Sequence, residues 1–204
     1  IKQLRNINIR CTYSMTANID ISKLLNALKN KDIKLYPALI YMTSKIINSH
    51  KELRTSFDED GNLGYWESMN PSFTFFHKDS KTFTNIWTMY SDDFSQFYCN
   101  YLDDTKRYGD VESISAKPNE PKNTFPVSCI PWVSFTGFNL NIYTDGTYLL
   151  PITTYGKYFK QDGKVLLPLS LQVHHAVCDG YHTSRFFNEL QTMSENYDEW
   201  LLIK

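Results

Sequence analysis

The chain has 204 residues, 42% of them hydrophobic and 21% charged, and 21 Lys and Arg against 22 Asp and Glu give a net charge of −1. This length suffices for one domain whose core needs no disulfide or metal, and we expect residues 1–204 to form a single domain. The balanced charge shows no basic stripe, which argues against nucleic-acid binding, and no apolar run approaches the ~18 residues needed to span a membrane. Residue 1 is Ile and not Met, so it stays open whether natural N-terminal residues or a leader are missing.

The first half of the chain predicts two helices, a hairpin, a strand and a third helix. In chain order these are the helix Ile21–Lys29, a helix from Tyr36-Pro37 to about Ser49, the hairpin Arg54–Asp58 with Leu63–Glu67, the strand Ser72–Lys78 and a helix begun by Ser91-Asp92-Asp93. Asp20 can cap the first helix, and proline at the first position of the second helix loses no intrahelical hydrogen bond. The polar stretch Gly109–Pro126 is expected to be a long surface loop.

The second half predicts four strands and a final helix. These are the strands Val127–Pro131, Phe135–Tyr143, Tyr148–Phe159 and Val165–His174 and the helix Tyr181–Tyr197, with hairpin turn signals at Asp145-Gly146 and Asp162-Gly163. In the last strand, one set of alternating positions is uniformly apolar, as in a strand covered on one side. Because strands and helices mix without regular alternation, we predict an α+β two-layer sandwich: a mostly antiparallel mixed sheet with helices packed on one face.

The number and spacing of the cysteines indicate whether the protein works in a reducing or an oxidising compartment. The four cysteines, Cys11, Cys99, Cys129 and Cys178, form no C-x-x-C pair and no zinc spacing with the five histidines. Their density is far below that of a disulfide-stabilised secreted domain, although four cysteines still allow three pairings. We therefore expect buried free thiols, no bound metal and a reducing, cytoplasmic compartment.

The most informative segment is Gln172–His182, which contains His174, His175 and Asp179-Gly180. Adjacent strand residues point to opposite faces, so the two histidines cannot both face one site, and this argues against a metal pair. One would face a site while the other packs inside, and Asp179 can rigidify a tight turn. From the residues alone, a histidine pair at a strand end is more often an ordinary core or surface feature. A triad with Ser128 is disfavoured, because that serine lacks the G-x-S-x-G elbow.

The pattern His-His-x-x-x-Asp-Gly at 174–180 resembles the active-site motif of chloramphenicol acetyltransferases, and further segments agree in kind and order. These are Cys-Thr-Tyr-Ser-Met-Thr at 11–16, Lys-Leu-Tyr-Pro-Ala at 34–38, Glu-Leu-Arg-Thr at 52–55, Phe-His-Lys-Asp-Ser-Lys-Thr-Phe at 76–83, Val-Ser-Cys-Ile-Pro-Trp at 127–132, Phe-Asn-Leu-Asn at 138–141 and Pro-Ile-Thr-Thr at 151–154. The resemblance covers the chain from Cys11 to Leu190. It implies the CoA-dependent acyltransferase fold and O-acetylation of chloramphenicol at its 3-hydroxyl by acetyl-CoA, which confers antibiotic resistance.

The resemblance also implies a homotrimer with active sites at the subunit interfaces. Peptide-synthetase condensation domains share the motif in chains about twice as long that join two such lobes. A chain of the present length would therefore need a neighbouring subunit to complete its site.

The resemblance assigns four residues to catalysis. His175 is the general base that takes the proton from the substrate hydroxyl as this hydroxyl attacks the thioester in a ternary complex, without an acyl-enzyme. Ser128 donates a hydrogen bond to the oxyanion, and Thr154 assists through an ordered water. Asp179 has a structural role, since in the family it pairs with an arginine near the N-terminus.

Further residues are assigned to binding. The resemblance implies that the acceptor pocket is lined by Cys11, Tyr13, Phe83, Phe138 and Leu140, and that acetyl-CoA is contacted by Tyr158, Lys157, Lys34 and Trp132. Each aromatic residue could instead belong to the core, and each lysine to the solvated surface. Arg5 and Arg10 are nearby candidates for the partner of Asp179, but neither matches the motif well enough to be assigned.

Two other functions stay open at this point. One is a related CoA acyltransferase that acts on another hydroxyl or on a thiol, such as a dihydrolipoyl-type core. The absence of a lipoyl domain and the full histidine pair argue against it. The other is a trimer that binds the drug without turnover.

Overall fold

The computed structural model describes residues 11–142 and 146–202, which form nine strands and four α-helices. The strands are β1 (Thr12–Asp20), β2 (Thr55–Phe57), β3 (Leu63–Tyr65), β4 (Asn70–Phe76), β5 (Phe83–Trp87), β6 (Thr124–Cys129), β7 (Ile152–Tyr155), β8 (Phe159–Gln161) and β9 (Lys164–His174). The helices are α1 (Ser22–Asn30), α2 (Leu35–Ser49), α3 (Phe94–Tyr108) and α4 (Gly180–Glu195), with short 3₁₀ turns at Lys51–Arg54 and Tyr197–Glu199.

Seven strands form one mixed sheet in the order β1-β9-β7-β6-β4-β5, with β8 also paired to β9, while β2 and β3 form a separate hairpin. Neighbours β4, β6 and β7 run parallel, and the other pairs are antiparallel. Helices pack against this sheet, and the structure confirms the predicted α+β fold. Because β9 is antiparallel to β7, the carboxyl ends of β9 and of β6 lie at opposite ends of the sheet.

One face of the sheet packs on the helices. The alternating apolar positions of β9 (Leu167 to Val173) are at most 2% exposed. On the same face, the Tyr155 hydroxyl makes a 2.5 Å hydrogen bond with the Thr43 hydroxyl of α2, and Tyr155 is itself fully buried. Apolar burial on this face is the main stabilising term, since each fully buried Leu or Val contributes roughly 1.5–3 kcal/mol.

The other face is covered by an irregular segment over residues 135–142. Ser170 of β9 donates its hydroxyl hydrogen to the carbonyl oxygen of Phe138 at 2.6 Å, and the Gln172 side chain accepts from the Leu140 amide at 3.2 Å. Hydrogen bonds from side chains of β9 thus replace the backbone hydrogen bonds that would pair a strand. The prediction of a strand at Phe135–Tyr143 is wrong for this reason over residues 135–142, and Tyr143 lies outside the described residues.

Other predicted elements hold with shifted bounds. Both N-terminal helices, the β2–β3 hairpin, α3, β9 and α4 are present, and Asp162-Gly163 forms the β8–β9 turn with positive φ at both residues. The Asp20 carboxylate accepts from the Ser22 hydroxyl at 2.6 Å and the Ser22 amide at 3.0 Å. These hydrogen bonds hold the pKa of Asp20 below its usual value. Asp145 of the other turn signal lies outside the described residues.

Three sequence expectations need correction. The predicted strand Tyr148–Phe159 is divided into β7 and β8. The Gly156 amide still bonds to the carbonyl of Pro168 opposite it in β9, but the Lys157 amide leaves the ladder and bonds to the Val133 carbonyl. Strands β1 and β5 were not predicted. In the structure β1 pairs with β9 and β5 pairs with β4. All four cysteines are free, but Cys178 alone among them is buried and Cys99 is exposed, so the expectation of buried thiols is wrong for Cys99.

Over residues 11–142 and 146–202, no helix is long and apolar enough to cross a membrane. The same residues contain no group of three or more His, Cys, Asp or Glu side chains that could hold a metal ion.

Candidate active site

The two adjacent histidines have opposite environments. His174, the last residue of β9, is 6% exposed, and its Nδ1 accepts a hydrogen bond from the Ala176 amide at 3.1 Å. Burial, together with the neighbouring His175, lowers the pKa of His174 below its usual value, so its ring is neutral near pH 7. His175 begins the following turn and is exposed. The alternation of strand residues therefore presents the second imidazole outwards.

The start of β1 lies directly beside His175. The His175 amide donates to the Cys11 carbonyl oxygen at 2.8 Å, which extends the β1–β9 ladder by one residue. The Tyr13 ring packs on the imidazole with 5.1 Å between ring centroids and 55° between planes. The Tyr13 hydroxyl lies 3.3 Å from that of Thr183 in α4, and burial raises the pKa of Tyr13. Thus Cys11 and Tyr13 are brought together with the candidate base.

Asp179 caps the helix that follows the turn. Its carboxylate accepts from the amides of Tyr181 at 2.9 Å and His182 at 3.3 Å, and His182 Nδ1 accepts from the Asp179 amide at 3.1 Å. Slight desolvation raises the pKa of Asp179, but its hydrogen bonds with His182 and with the Tyr181 amide outweigh this, and the net pKa is lowered. The capping fixes the end of the turn that carries the base. Arg5 and Arg10 lie outside the described residues.

Ser128 lies at the other end of the sheet, in a cavity of about 510 Å³. The cavity is lined by Tyr36, Thr74, Phe76, Lys81, Phe83, Ser128, Cys129, Ile130, Pro131 and Trp132. Its size is typical of small-molecule pockets, which occupy about 300–1,000 Å³. Trp132 packs edge-on against Phe76 with 4.7 Å between centroids. The cavity thus unites three predicted site residues, Ser128, Phe83 and Trp132.

The remaining predicted residues lie around this end of the sheet or across its covered face. Thr154 is buried and directly opposite Ser128 in the β6–β7 register. Lys157 and Tyr158 are exposed just after β7, and Lys34 is exposed just before α2. Phe138 and Leu140 belong to the segment that crosses β9. A second cavity of about 470 Å³ between α2, the start of α3 and the end of α4 contains none of the predicted residues.

Within one chain, the candidate base and the candidate oxyanion donor are far apart. Ser128 is in register with Thr154, and Thr154 with Ser170, two strands away. His175 is five residues beyond Ser170 along β9. With ~4.8 Å between strands and ~3.3 Å per residue, the separation is roughly 19 Å. The predicted residues therefore form two groups, and His175 does not reach the cavity that holds Ser128 in its own chain.

The sequence did not reveal several residues of these two groups. Tyr36, Thr74, Phe76 and Lys81 line the cavity, and Thr183 contacts Tyr13. Thr74 and Phe76 lie near Ser128 because β4 pairs with β6 in parallel, a pairing between distant segments that no local pattern indicates.

Comparisons with known proteins agree on one family. The chloramphenicol acetyltransferase family matches residues 2–191. A chloramphenicol acetyltransferase of Clostridium perfringens is 63% identical over 193 residues, covering 95% of this chain and 88% of the relative. One of Clostridium butyricum is 60% identical over 194 residues, covering 95% and 89%.

Solved structures show the same fold. A chloramphenicol acetyltransferase has a TM-score of 0.79 at 18% identity, covering 94% of this chain and 93% of the other. The dihydrolipoamide acetyltransferase of Azotobacter vinelandii has a TM-score of 0.73 at 17% identity, covering 98% and 90%. At these identities the similarity concerns the fold.

Proposed function

This chain belongs to the chloramphenicol acetyltransferase family, and from this premise we propose that it transfers the acetyl group of acetyl-CoA to the 3-hydroxyl of chloramphenicol and so confers resistance to the antibiotic. The observation that carries the proposal is the placement of the two motif histidines. His174 is sealed in the fold, while His175 is exposed on a turn fixed at both ends. Cytoplasmic acetyl-CoA is the acetyl donor, and no metal is required.

The reaction is a direct transfer in a ternary complex. His175 takes the proton of the 3-hydroxyl as its oxygen forms a bond to the thioester carbonyl carbon. The resulting oxyanion accepts a hydrogen bond from Ser128, and Thr154 assists through a water. Collapse of the intermediate breaks the carbon–sulfur bond, and the proton passes to the CoA sulfur. A positioned base contributes ~10²–10⁴-fold and one oxyanion donor ~10²–10³-fold in rate.

The two residue groups require a second copy of the chain. The His175 end of one copy would dock against the Ser128 cavity of the next, and because these two surfaces differ, the contact is heterologous. Heterologous contacts close into rings when the rotation permits, and the homotrimer implied by the resemblance is such a ring. The roughly 19 Å between the two groups within one chain supports this arrangement.

The cavity and its surroundings suit the two substrates. Phe83 gives the cavity an aromatic wall for the acceptor, to which Phe138 and Leu140 would add from the covering segment. Trp132 and Tyr158 offer exposed rings for the pantetheine arm and the adenine of CoA. Lys34 and Lys157 are exposed and supply point charges for its phosphates.

A thiol-release assay tests the proposal. The purified protein is incubated with acetyl-CoA and chloramphenicol, and free CoA is measured with a thiol reagent. We expect release that depends on the drug. Release with dihydrolipoamide but not with chloramphenicol would instead favour an acyltransferase acting on a thiol. Drug binding without release of CoA would favour a binding protein.

His175→Ala is the variant that tests the role of the base in this assay. Because the side chain is exposed, its removal leaves the core intact, and the variant should keep the wild-type melting temperature and acetyl-CoA affinity. Its turnover should fall by ~10²–10⁴-fold. A variant that keeps more than about a tenth of the wild-type rate would contradict the base role.

A further inference from the structure

We propose that Tyr155 is a positioning residue for the oxyanion donor: its buried hydroxyl ties the end of β7 to helix α2, and its backbone holds the segment that follows Ser128. The proposal rests on the proposed function, because it takes Ser128 as the oxyanion donor. The family resemblance assigns no role to Tyr155, whose neighbour Thr154 is one of the four residues assigned to catalysis.

The strand register places Tyr155 directly behind the candidate donor. Thr154 lies opposite Ser128 in the β6–β7 pairing, and Tyr155 lies opposite Cys129. Because side chains alternate along a strand, Ser128 and Thr154 face the covered side of the sheet, whereas Tyr155 faces the helices. The Ile130 amide donates to the Tyr155 carbonyl oxygen at 2.7 Å. The backbone that follows Ser128 is therefore attached to Tyr155.

The Tyr155 side chain ends in a hydrogen-bond network inside the helix layer. Its hydroxyl donates to the Leu39 carbonyl oxygen at 3.3 Å, so the Thr43 hydroxyl is the donor in the 2.5 Å contact between the two hydroxyls. Both side chains are fully buried, and burial raises the pKa of Tyr155 above its usual value, so its hydroxyl stays protonated. Buried hydroxyls cost free energy unless they are hydrogen-bonded, and apolar residues of the same shape could fill the same space. The pair is therefore a directional link where packing alone requires none.

Helix α2 holds both strands from one of its sides. Tyr36, Leu39 and Thr43 are spaced three and four residues apart, so they share one side of the helix. The last two bind the β7 tyrosine, and the Tyr36 hydroxyl donates to the Val127 carbonyl oxygen of β6 at 3.2 Å. Val127 immediately precedes Ser128. The donor is thus fixed on both sides by contacts that begin on α2.

An oxyanion donor needs this support because the local ladder is short. Strands β6 and β7 share three register pairs, and parallel pairs are slightly less stable per residue than antiparallel ones. A donor acts at about 2.7–3.1 Å from the place that the oxyanion will occupy. Misplacement of a group by about 1 Å can cost ~10²-fold in rate. A shift of β7 relative to α2 would be passed on to Ser128 through the Ile130 amide.

The first test is Tyr155→Phe, which removes the hydroxyl and keeps the buried ring. We expect kcat to fall by about 10-fold, as a displacement of roughly half an ångström would cause on this scale. KM for chloramphenicol and for acetyl-CoA should change by less than about threefold, because the oxyanion exists only in the transition state and the intermediate.

Thr43 provides the other half of the link and a conservative rescue. Thr43→Val removes the hydroxyl and should lower kcat as Tyr155→Phe does, and the two changes together should cost no more than either alone. Thr43→Ser keeps the hydroxyl and should stay within about threefold of the wild-type kcat.

Tyr41→Phe is the matched control variant. Tyr41 is also in α2 and is 1% exposed, and its hydroxyl donates to the Asp92 carbonyl oxygen at 2.7 Å. This contact leads to the start of α3, away from both residue groups. Tyr41→Phe should therefore lower the melting temperature and leave kcat at the wild-type value, which separates positioning from stability.

The decisive measurement combines Tyr155→Phe with Ser128→Ala. If Tyr155 acts through Ser128, its hydroxyl has nothing to position once the serine hydroxyl is gone. Tyr155→Phe should therefore lower kcat by less than about twofold in the Ser128→Ala background, against about 10-fold in the wild-type background. CoA release at a raised enzyme concentration measures both rates, since Ser128→Ala should retain ~0.1–1% of the activity.

Equal losses in the two backgrounds would overturn the proposal, because Tyr155 would then act on the fold as a whole. A loss in Tyr155→Phe no larger than that in Tyr41→Phe would do the same. Both outcomes leave the proposed function intact, since the wild-type protein would still release CoA with chloramphenicol. A wild-type protein without this release would refute the proposed function and the role of Tyr155 with it. If Tyr155→Phe does not fold, Thr43→Val with Ser128→Ala gives the same comparison.

Discussion

Two inactive variants should restore each other's activity if the active site is shared between copies of the chain. His175→Ala removes the base and keeps Ser128, and Ser128→Ala does the reverse. Each variant alone should retain at most ~1% of the wild-type rate, given the usual weight of a general base or an oxyanion donor. Co-expression of the two chains, each with its own affinity tag, yields mixed assemblies that carry both tags.

The expected activity follows from the arrangement of the two residue groups. A site is intact where a copy with His175 precedes a copy with Ser128 around the ring. A mixed trimer contains two copies of one variant and one copy of the other. In either case, one of its three subunit contacts forms an intact site. Mixed trimers should therefore show about one third of the wild-type activity per chain, and a mixed ring of two copies about one half. The measured fraction thus reports the number of subunits.

The assay is CoA release by assemblies purified on both tags in sequence. The two variants purified separately and mixed without dissociation serve as the control, and they should remain inactive. Activity of the mixed assemblies at the level of the single variants would refute the reasoning. Base and oxyanion donor would then act within one chain, against the roughly 19 Å that the strand register places between them.

Three further predictions concern the surroundings of the site. Asp179→Asn should lower the melting temperature and the activity together, and an unchanged melting temperature would contradict this. Because the pKa of Asp179 is lowered in the fold, the stabilising effect of its carboxylate is present above about pH 4 and is lost as the pH falls further. The stability of the variant should therefore depend less on pH in the acid range than that of the wild-type protein. Gly156→Ala places a Cβ 2.8 Å from the Phe135 ring and should raise KM for chloramphenicol by displacing the covering segment, which steady-state kinetics would show; an unaltered KM would separate this segment from the acceptor site. His174 has a lowered pKa, so its contribution to stability is present above about pH 6.5 and declines as the pH falls. In His174→Asn the side-chain oxygen can still accept from the Ala176 amide, and the melting temperature should fall less between about pH 7 and 5 than in the wild-type protein. An equal fall in both proteins would refute the assignment of His174 as a buried, neutral histidine.

Local signals in the sequence predict the helices and the long strand well. Leucines on one side of α1 and proline near the start of α2 are read from neighbours in the chain, and both helices lie within one or two residues of their predicted bounds. The alternation in β9 likewise gives its buried face directly. These signals need no knowledge of what each element packs against.

Non-local pairing explains what the sequence could not show. Strand β1 alternates Tyr13, Met15, Ala17 and Ile19 with polar residues, a local strand pattern that the sequence prediction missed, and its nine register pairs with β9 fix its place in the sheet. Residues 135–142 have a strand-like composition, but polar side chains of β9 hold them as an irregular cover. The family resemblance supplied the candidate residues His175 and Ser128. Their separation within one chain appears in the strand order, which depends on contacts between distant segments.

The spacing of the His-His-x-x-x-Asp-Gly motif has a structural explanation of its own. The carbonyl oxygen of His174 accepts from the amides of Val177 and Cys178, each at 3.1 Å, which closes the turn at its first end. Asp179 closes the other end by capping α4. The first histidine is buried because β9 continues through it, and the aspartate is engaged with the helix. The exposed carboxylate of Asp179 is thus engaged by the amides of α4, whereas the exposed side chain of His175 stands on a backbone held from both sides. The proposed general base at an interface between subunits requires this arrangement.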